Sequence, residues 1–160
     1  MWDVSLGYDY GLDEGCQLPE ELRQVVHSAF DPVAHAVAHG LPVYLYGPAG
    51  SGKNVLVEQV AAALSLDFHF MGCVTDEYKF VGFIDAGGTY HGTEFYRAFK
   101  YGGIFFLDEF DASDPSVAVA LNGAIANGYF AFPDETLSAH PDFRVVAAGN
   151  TLGTGRDAIY

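Results

Sequence analysis

The sequence predicts an α/β fold, a parallel β-sheet covered by helices on both faces, on three observations. Short apolar runs alternate with segments of helical period along the chain. A glycine-rich stretch, residues 47–54, joins the first run to the helical segment after it. Two later runs stop abruptly in polar residues, Asp108-Glu109 and Asn150, as strands do when they end at the rim of a sheet. The 160 residues suit one domain. A hydrophobic content of 50% against 18% charged residues excludes a disordered chain.

Residues 1–18 mix Gly, Asp and aromatics without a period and read as a lead-in, so residues 19–160 carry the expected core. From Pro19 to about His39 the pattern is helical, with Asp31-Pro32 opening a new first turn and Gly40 closing the segment. Val43–Tyr46 is a buried strand that breaks at Gly47-Pro48. Leu56, Val60 and Leu64 recur at helical spacing, which predicts a helix over 53–64. Strands follow at 68–71, 104–107 and 144–148, with helices at 93–101 and from Asp114-Pro115 to about Asn127. Two aromatic segments, 83–90 around Gly87-Gly88 and 129–133, read as hairpin insertions.

The glycine-rich stretch is Gly47-Pro48-Ala49-Gly50-Ser51-Gly52-Lys53-Asn54, followed by Val55. Between a strand and a helix this is the context of a phosphate-binding P-loop: backbone N–H groups turn inward, the helix N-terminus adds its positive end, and Lys53 reaches the phosphates. The position after the lysine is usually Ser or Thr, whose hydroxyl binds Mg²⁺. Here it is Asn54, whose amide oxygen is also a hard ligand. Asp108 is expected to hold Mg²⁺ and its waters at the end of the 104–107 strand, and Glu109 to act as general base on the attacking water. Asn150, at the end of the 144–148 strand, is expected to orient that water.

Seven Lys plus Arg against 21 Asp plus Glu give a net charge of −14. Such a surface repels nucleic acid and anionic membranes, so any polyanion contact must be local. Cys16 and Cys73 form no C-x-x-C pattern, no apolar stretch is long enough to span a membrane, and no basic signal-peptide start is present; these features read as a cytoplasmic chain. His35 and His39 are spaced one helical turn apart without a third ligand and read as solvent-facing. Tyr78–Gly82 reads equally as a packed loop or a contact segment, and Arg97 and Lys100 as a solvated face or a contact to a neighbouring subunit.

These strand-end motifs, with Gly102-Gly103-Ile104 and Leu121-Asn122, resemble the AAA+ ATPases, and within them the MoxR/dynein-related branch, from Pro42 to Tyr160, about three quarters of the chain. The chain is especially similar to bacterial, phage and mobile-element members that also carry Gly-Ser-Gly-Lys-Asn. The resemblance implies a three-layer P-loop sandwich, ATP as the nucleotide with Mg²⁺, and a homo-oligomeric ring, a hexamer, that remodels a partner protein. In that frame residues 47–55 match Walker A, Asp108 and Glu109 Walker B, and Asn150 sensor 1. Segments 83–91 and 129–135 become hairpins facing the ring's central pore. Two other readings stand beside it: a nucleic-acid-directed motor, which the charge disfavours, and a nucleotide-binding module that never hydrolyses.

Relatives of this type have five strands in the order 5-1-4-3-2, an arginine finger after sensor 1 and a helical lid. The chain stops ten residues past Asn150, and Arg156 does not match the finger motif. The chain therefore reads as a piece of a longer protein. In isolation it is expected to have the 43–46 strand at a sheet edge, to associate, to bind nucleotide weakly and to be nearly inactive.

Overall fold

Helix α1 (Phe30–Ala38) leads into β1 (Val43–Tyr46), α2 (Lys53–Leu64) and β2 (Phe68–Met71). A short helix α3 (Glu77–Val81) and a hairpin of β3 (Phe83–Ile84) and β4 (Tyr90–His91) follow, then α4 (Glu94–Tyr101) and β5 (Gly103–Leu107). One 3₁₀ turn, Phe110–Ala112, separates β5 from α5 (Pro115–Asn127), and a second hairpin, β6 (Tyr129–Ala131) and β7 (Thr136–Ser138), precedes β8 (Phe143–Gly149). This computed structural model describes residues 27–151. The expected lead-in, the helical segment before residue 27 and Arg156 lie outside the described residues.

The four expected strands form one sheet in the order β1-β8-β5-β2, every neighbouring pair parallel. Among the described residues strand β1 is at its edge, as the sequence predicts. All five residues of β5 are buried, and side chains alternate between the faces. Ile104 and Phe106 join Val146 and Ala148 of β8 against α1 and α2. Phe105 and Leu107 join Val145 against α3, α4 and α5. The sheet therefore has helices on both sides, the arrangement expected of near-continuous apolar strands.

Helices α3, α4 and α5 begin where the sequence supplies a side-chain cap. Asp114 accepts from Ser116 N at 2.9 Å, with Pro115 in the first turn of α5, and Thr93 accepts from Tyr96 N at the start of α4. Asp76 accepts from Lys79 N at 3.0 Å and starts α3, where the sequence offered a loop or a contact segment. Five residues carrying aromatics have no readable period; what holds α3 is its cap and the burial of Phe80 and Val81. The second hairpin also runs further than 129–135, because Thr136–Ser138 pairs back on Tyr129–Ala131. Within α4, Lys100 Nζ donates to Glu135 Oε1 (2.6 Å) and Tyr96 OH (2.8 Å) and so ties the hairpin turn to the helix, while Arg97 pairs with Glu94. Both cations thus have partners within the chain. His35 and His39 lie 4.3 Å apart between centroids with their rings tilted; His39 is exposed as expected, whereas His35 is half-buried, and no metal-binding group of three or more His, Cys, Asp or Glu occurs among the described residues. No helix among them is long and apolar enough to cross a membrane.

The face covered by α4 is built on aromatic rings. Phe95 is fully buried, stacks on Phe80 at 4.2 Å between centroids, and touches Phe99, Phe105, Phe130, Phe132 and Phe143. Truncating such a ring loses its transfer energy and leaves a cavity. Phe95→Ala is expected to destabilise the fold by about 3–5 kcal/mol, measured by chemical denaturation; a loss below about 1 kcal/mol would show that this face repacks freely.

Candidate functional site

The parallel register delivers three chain segments to one end of the sheet. Tyr46 of β1 lies opposite Gly149 of β8, and Leu107 of β5 opposite Ala147. The residues that follow, Gly47, Asp108 and Asn150, therefore leave the sheet together at the carboxyl ends of its strands. Gly47 N–H extends the pairing, donating to Gly149 O at 3.3 Å.

Residues 47–52 wrap back from β1 into α2. Gly50 and Gly52 have φ +77° and +82°, left-handed conformations that cost only glycine nothing. Gly52 is the N-cap of α2 and no side chain caps the helix. The first N–H groups of a helix have no intrahelical acceptor, so this end presents bare donors and the positive end of the helix dipole. The loop is held from behind by His27. Its Nδ1 accepts from Ala29 N at 3.1 Å, which leaves Nε2–H to donate to Ser51 O at 2.9 Å. The His27 amide in turn donates to Oε1 of the buried Gln59 of α2 at 3.2 Å.

Residues 49–55, Asp108, Glu109 and Asn150 line one cleft of about 320 Å³. Ten of the twelve residues singled out from the sequence thus meet there. The other two, Gly47 and Pro48, are not in its lining but turn their carbonyls on Lys53. Lys53 Nζ donates to Gly47 O at 2.8 Å, Pro48 O at 3.2 Å and Asn150 Oδ1 at 3.1 Å. All three ammonium donors are satisfied, and one of them connects the P-loop directly to the end of β8.

Asp108 Oδ1 accepts the Glu109 amide at 2.9 Å, leaving Oδ2 as a hard oxygen donor in the cleft that Asn54 also lines. Two such donors suit Mg²⁺, which commonly takes one or two protein oxygens and completes its shell with waters and phosphate. Glu109 has φ +51°, a left-handed conformation that costs a non-glycine residue about 1–2 kcal/mol. Its carbonyl is pinned by Ala112 N at 3.0 Å and by the hydroxyl of Ser113 at 3.2 Å. Ser113 is buried and its Oγ also accepts Val74 N at 3.0 Å. Residues around the site therefore fix an unfavourable backbone at the one acid exposed in the cleft.

Four contributors were not singled out from the sequence: His27, Ser113, Asp111 and Tyr44. Asp111 Oδ2 accepts Asn150 N (3.0 Å), Thr151 N (2.8 Å) and Thr151 Oγ1 (2.8 Å), and Tyr44 OH donates to Thr151 O at 2.9 Å. Only the recurrence of a third acid three residues after Asp108 hints at this in the sequence.

The model of the AAA domain, dynein-related subfamily, matches residues 42–159. The chain belongs to that family. The AAA chain is 34% identical over 120 residues to the denitrification regulatory protein NirQ of Pseudomonas aeruginosa, an alignment covering 70% of the chain and 46% of NirQ. The chain thus spans less than half the length of this curated relative. Among solved structures, the fold is shared with a putative ATPase from Cytophaga hutchinsonii (TM-score 0.61, 20% identity, 81% of this chain and 41% of that one). It is also shared with NtrX of Brucella abortus in complex with ATP (TM-score 0.56, 16% identity, 84% and 30%).

Asp111 is the carboxylate through which this AAA site is expected to respond to acid. Burial raises its pKa, but the hydrogen bonds from Thr151 and Asn150 outweigh burial and hold the carboxyl below the usual aspartate value; Tyr44, the titratable group facing it, is itself raised by burial first and by Asp111 second. A carboxyl lowered on folding contributes stability that is complete above its unfolded pKa, near 3.9, and is lost as pH falls through the folded value. Thermal melts from neutral pH down to about pH 2.5 should therefore decline more steeply for the natural chain than for Asp111→Asn. Parallel declines would contradict this role for the carboxylate.

Proposed function

We propose that this chain binds ATP with Mg²⁺ in the cleft and hydrolyses it, as the core of a ring-forming ATPase that remodels a partner protein or complex. The observation that carries the reading is the meeting of the P-loop, the paired acids and Asn150 at adjacent strand ends. Membership of the AAA family and the shared fold support it. The amides of residues 50–54 and the start of α2 hold the phosphates, and Lys53 exchanges one of its present acceptors for a phosphate oxygen. Asp108 and Asn54 would hold Mg²⁺, which supplies charge neutralisation at the phosphates.

Glu109 takes a proton from water as the water oxygen bonds to the terminal phosphorus. The bond from that phosphorus to the bridging oxygen breaks, and ADP leaves. Asn150 orients the water. NirQ is described as a regulatory protein, and action on a partner protein, rather than on a small metabolite, is the corresponding role here. The −14 charge disfavours a nucleic-acid track. The ring and a cytoplasmic location belong to the same reading.

The test is calorimetric titration with ATP and Mg²⁺, alongside turnover, in the full protein that carries this chain. Lys53→Ala is expected to abolish binding. Glu109→Gln should keep the affinity and slow turnover about 10²–10⁴-fold, while Asp108→Asn raises the Mg²⁺ concentration required. Unchanged affinity in Lys53→Ala, or equal loss of binding and turnover in both acid variants, would contradict the assignment.

A further inference from the structure

We propose that Asp111 is the positioning residue for Asn150: it anchors the backbone after β8 and leaves the Asn150 side chain to exchange partners across the cleft. The inference rests on the hydrolytic reading above, because Asn150 is the residue placed at the attacking water.

Three observations carry it. First, Asp111 Oδ2 gathers donors from two consecutive residues, the amides of Asn150 and Thr151 and the Thr151 hydroxyl, at 2.8–3.0 Å. Hydrogen bonds to an ionised acceptor are about twice as strong as neutral ones, so the turn after β8 has a defined direction. Second, the approach is built into the sequence. A Cβ added to Gly149 would come within 3.0 Å of Asp111 Cγ and would collide with the Tyr44 hydroxyl, so glycine here is what lets the carboxylate and the phenol reach the strand end. Tyr44 OH holds Thr151 O from β1, so the turn is gripped on one side by β1 and on the other by the 3₁₀ turn that follows β5.

Third, the anchor and the working group are separate. Asp111 takes the backbone of residue 150, whereas the Asn150 side chain accepts from Lys53 Nζ at 3.1 Å. Asp111 is absent from the cleft lining, where Asn150 is present. A phosphate drawing Lys53 away would free Asn150 Oδ1, and the fixed backbone would confine its response to side-chain rotation. Geometry of that kind governs rate more than affinity, since a misplacement of about 1 Å at a reacting group costs on the order of 10²-fold.

The test is a double-mutant cycle in the full protein with Asp111→Ala, Asn150→Ala and the pair. It reads kcat, ATP affinity and amide hydrogen exchange over residues 149–151. Asp111→Ala should lower kcat about 10²-fold with ATP affinity within about threefold, and the pair should be no slower than Asn150→Ala alone. Asp111→Asn, which keeps one neutral oxygen, should recover part of the loss and serves as the cycle partner if the alanine variant does not fold. Exchange over 149–151 should accelerate while that over the P-loop does not. Additive losses, unchanged kcat, or affinity falling together with kcat would overturn the proposal. If the natural protein binds ATP without turnover, the hydrolytic reading fails by itself. The exchange measurement then decides the anchor: acceleration sustains it, and unchanged exchange overturns it.

Discussion

The insertion of β8 between β1 and β5 is the constraint on which the site depends. Because the β1–β8 and β8–β5 ladders are parallel and in fixed register, Gly47, Asp108 and Asn150 emerge at one end of the sheet. A one-residue slip would move every side chain of β8 to the other face, setting Val146 and Ala148 into the aromatic layer and Val145 against α1 and α2. The apolar identity of both faces thus enforces the register, and the register builds the cleft. Packing energy on each side of the sheet is in this sense part of the functional geometry.

Within the cleft the chain keeps its polar groups committed to one another. Lys53 is shared among two P-loop carbonyls and Asn150, Asp108 is bound by the following amide, and Glu109 is held in a left-handed backbone by Ser113 and Ala112. Such a preorganised arrangement has little left to reorganise when charge enters. In the proposed reading the element of exchange is the Lys53–Asn150 contact, where a side chain rather than a loop would change partner.

Much of this was legible in the sequence because the polar residues that line the cleft sit at strand ends. Apolar runs that stop in Gly-Pro, Asp-Glu or Gly-Asn mark both the element and the end at which it meets the cleft, so the sheet, α2, α4, α5 and the cleft residues follow from local pattern. The features that were not legible depend on long-range contact. Tyr44 reaches Thr151 across 107 positions and Asp111 reaches it across 40; no window of the sequence contains both partners. Ser113 looks like an ordinary residue before a helix, and only burial reveals that it braces Glu109. Helix α3 is too short to display a period and is stabilised by its cap and by the rings it buries.

The most direct test of the proposed nucleotide site is a crystal structure of the full protein with Mg²⁺ and a non-hydrolysable ATP analogue. The account predicts the phosphates over residues 50–54, a phosphate oxygen in place of Asn150 Oδ1 on Lys53 Nζ, and the 150–151 backbone still on Asp111. An analogue seated elsewhere, or phosphates in the cleft with Lys53 retaining its present contacts to Gly47, Pro48 and Asn150, would contradict it.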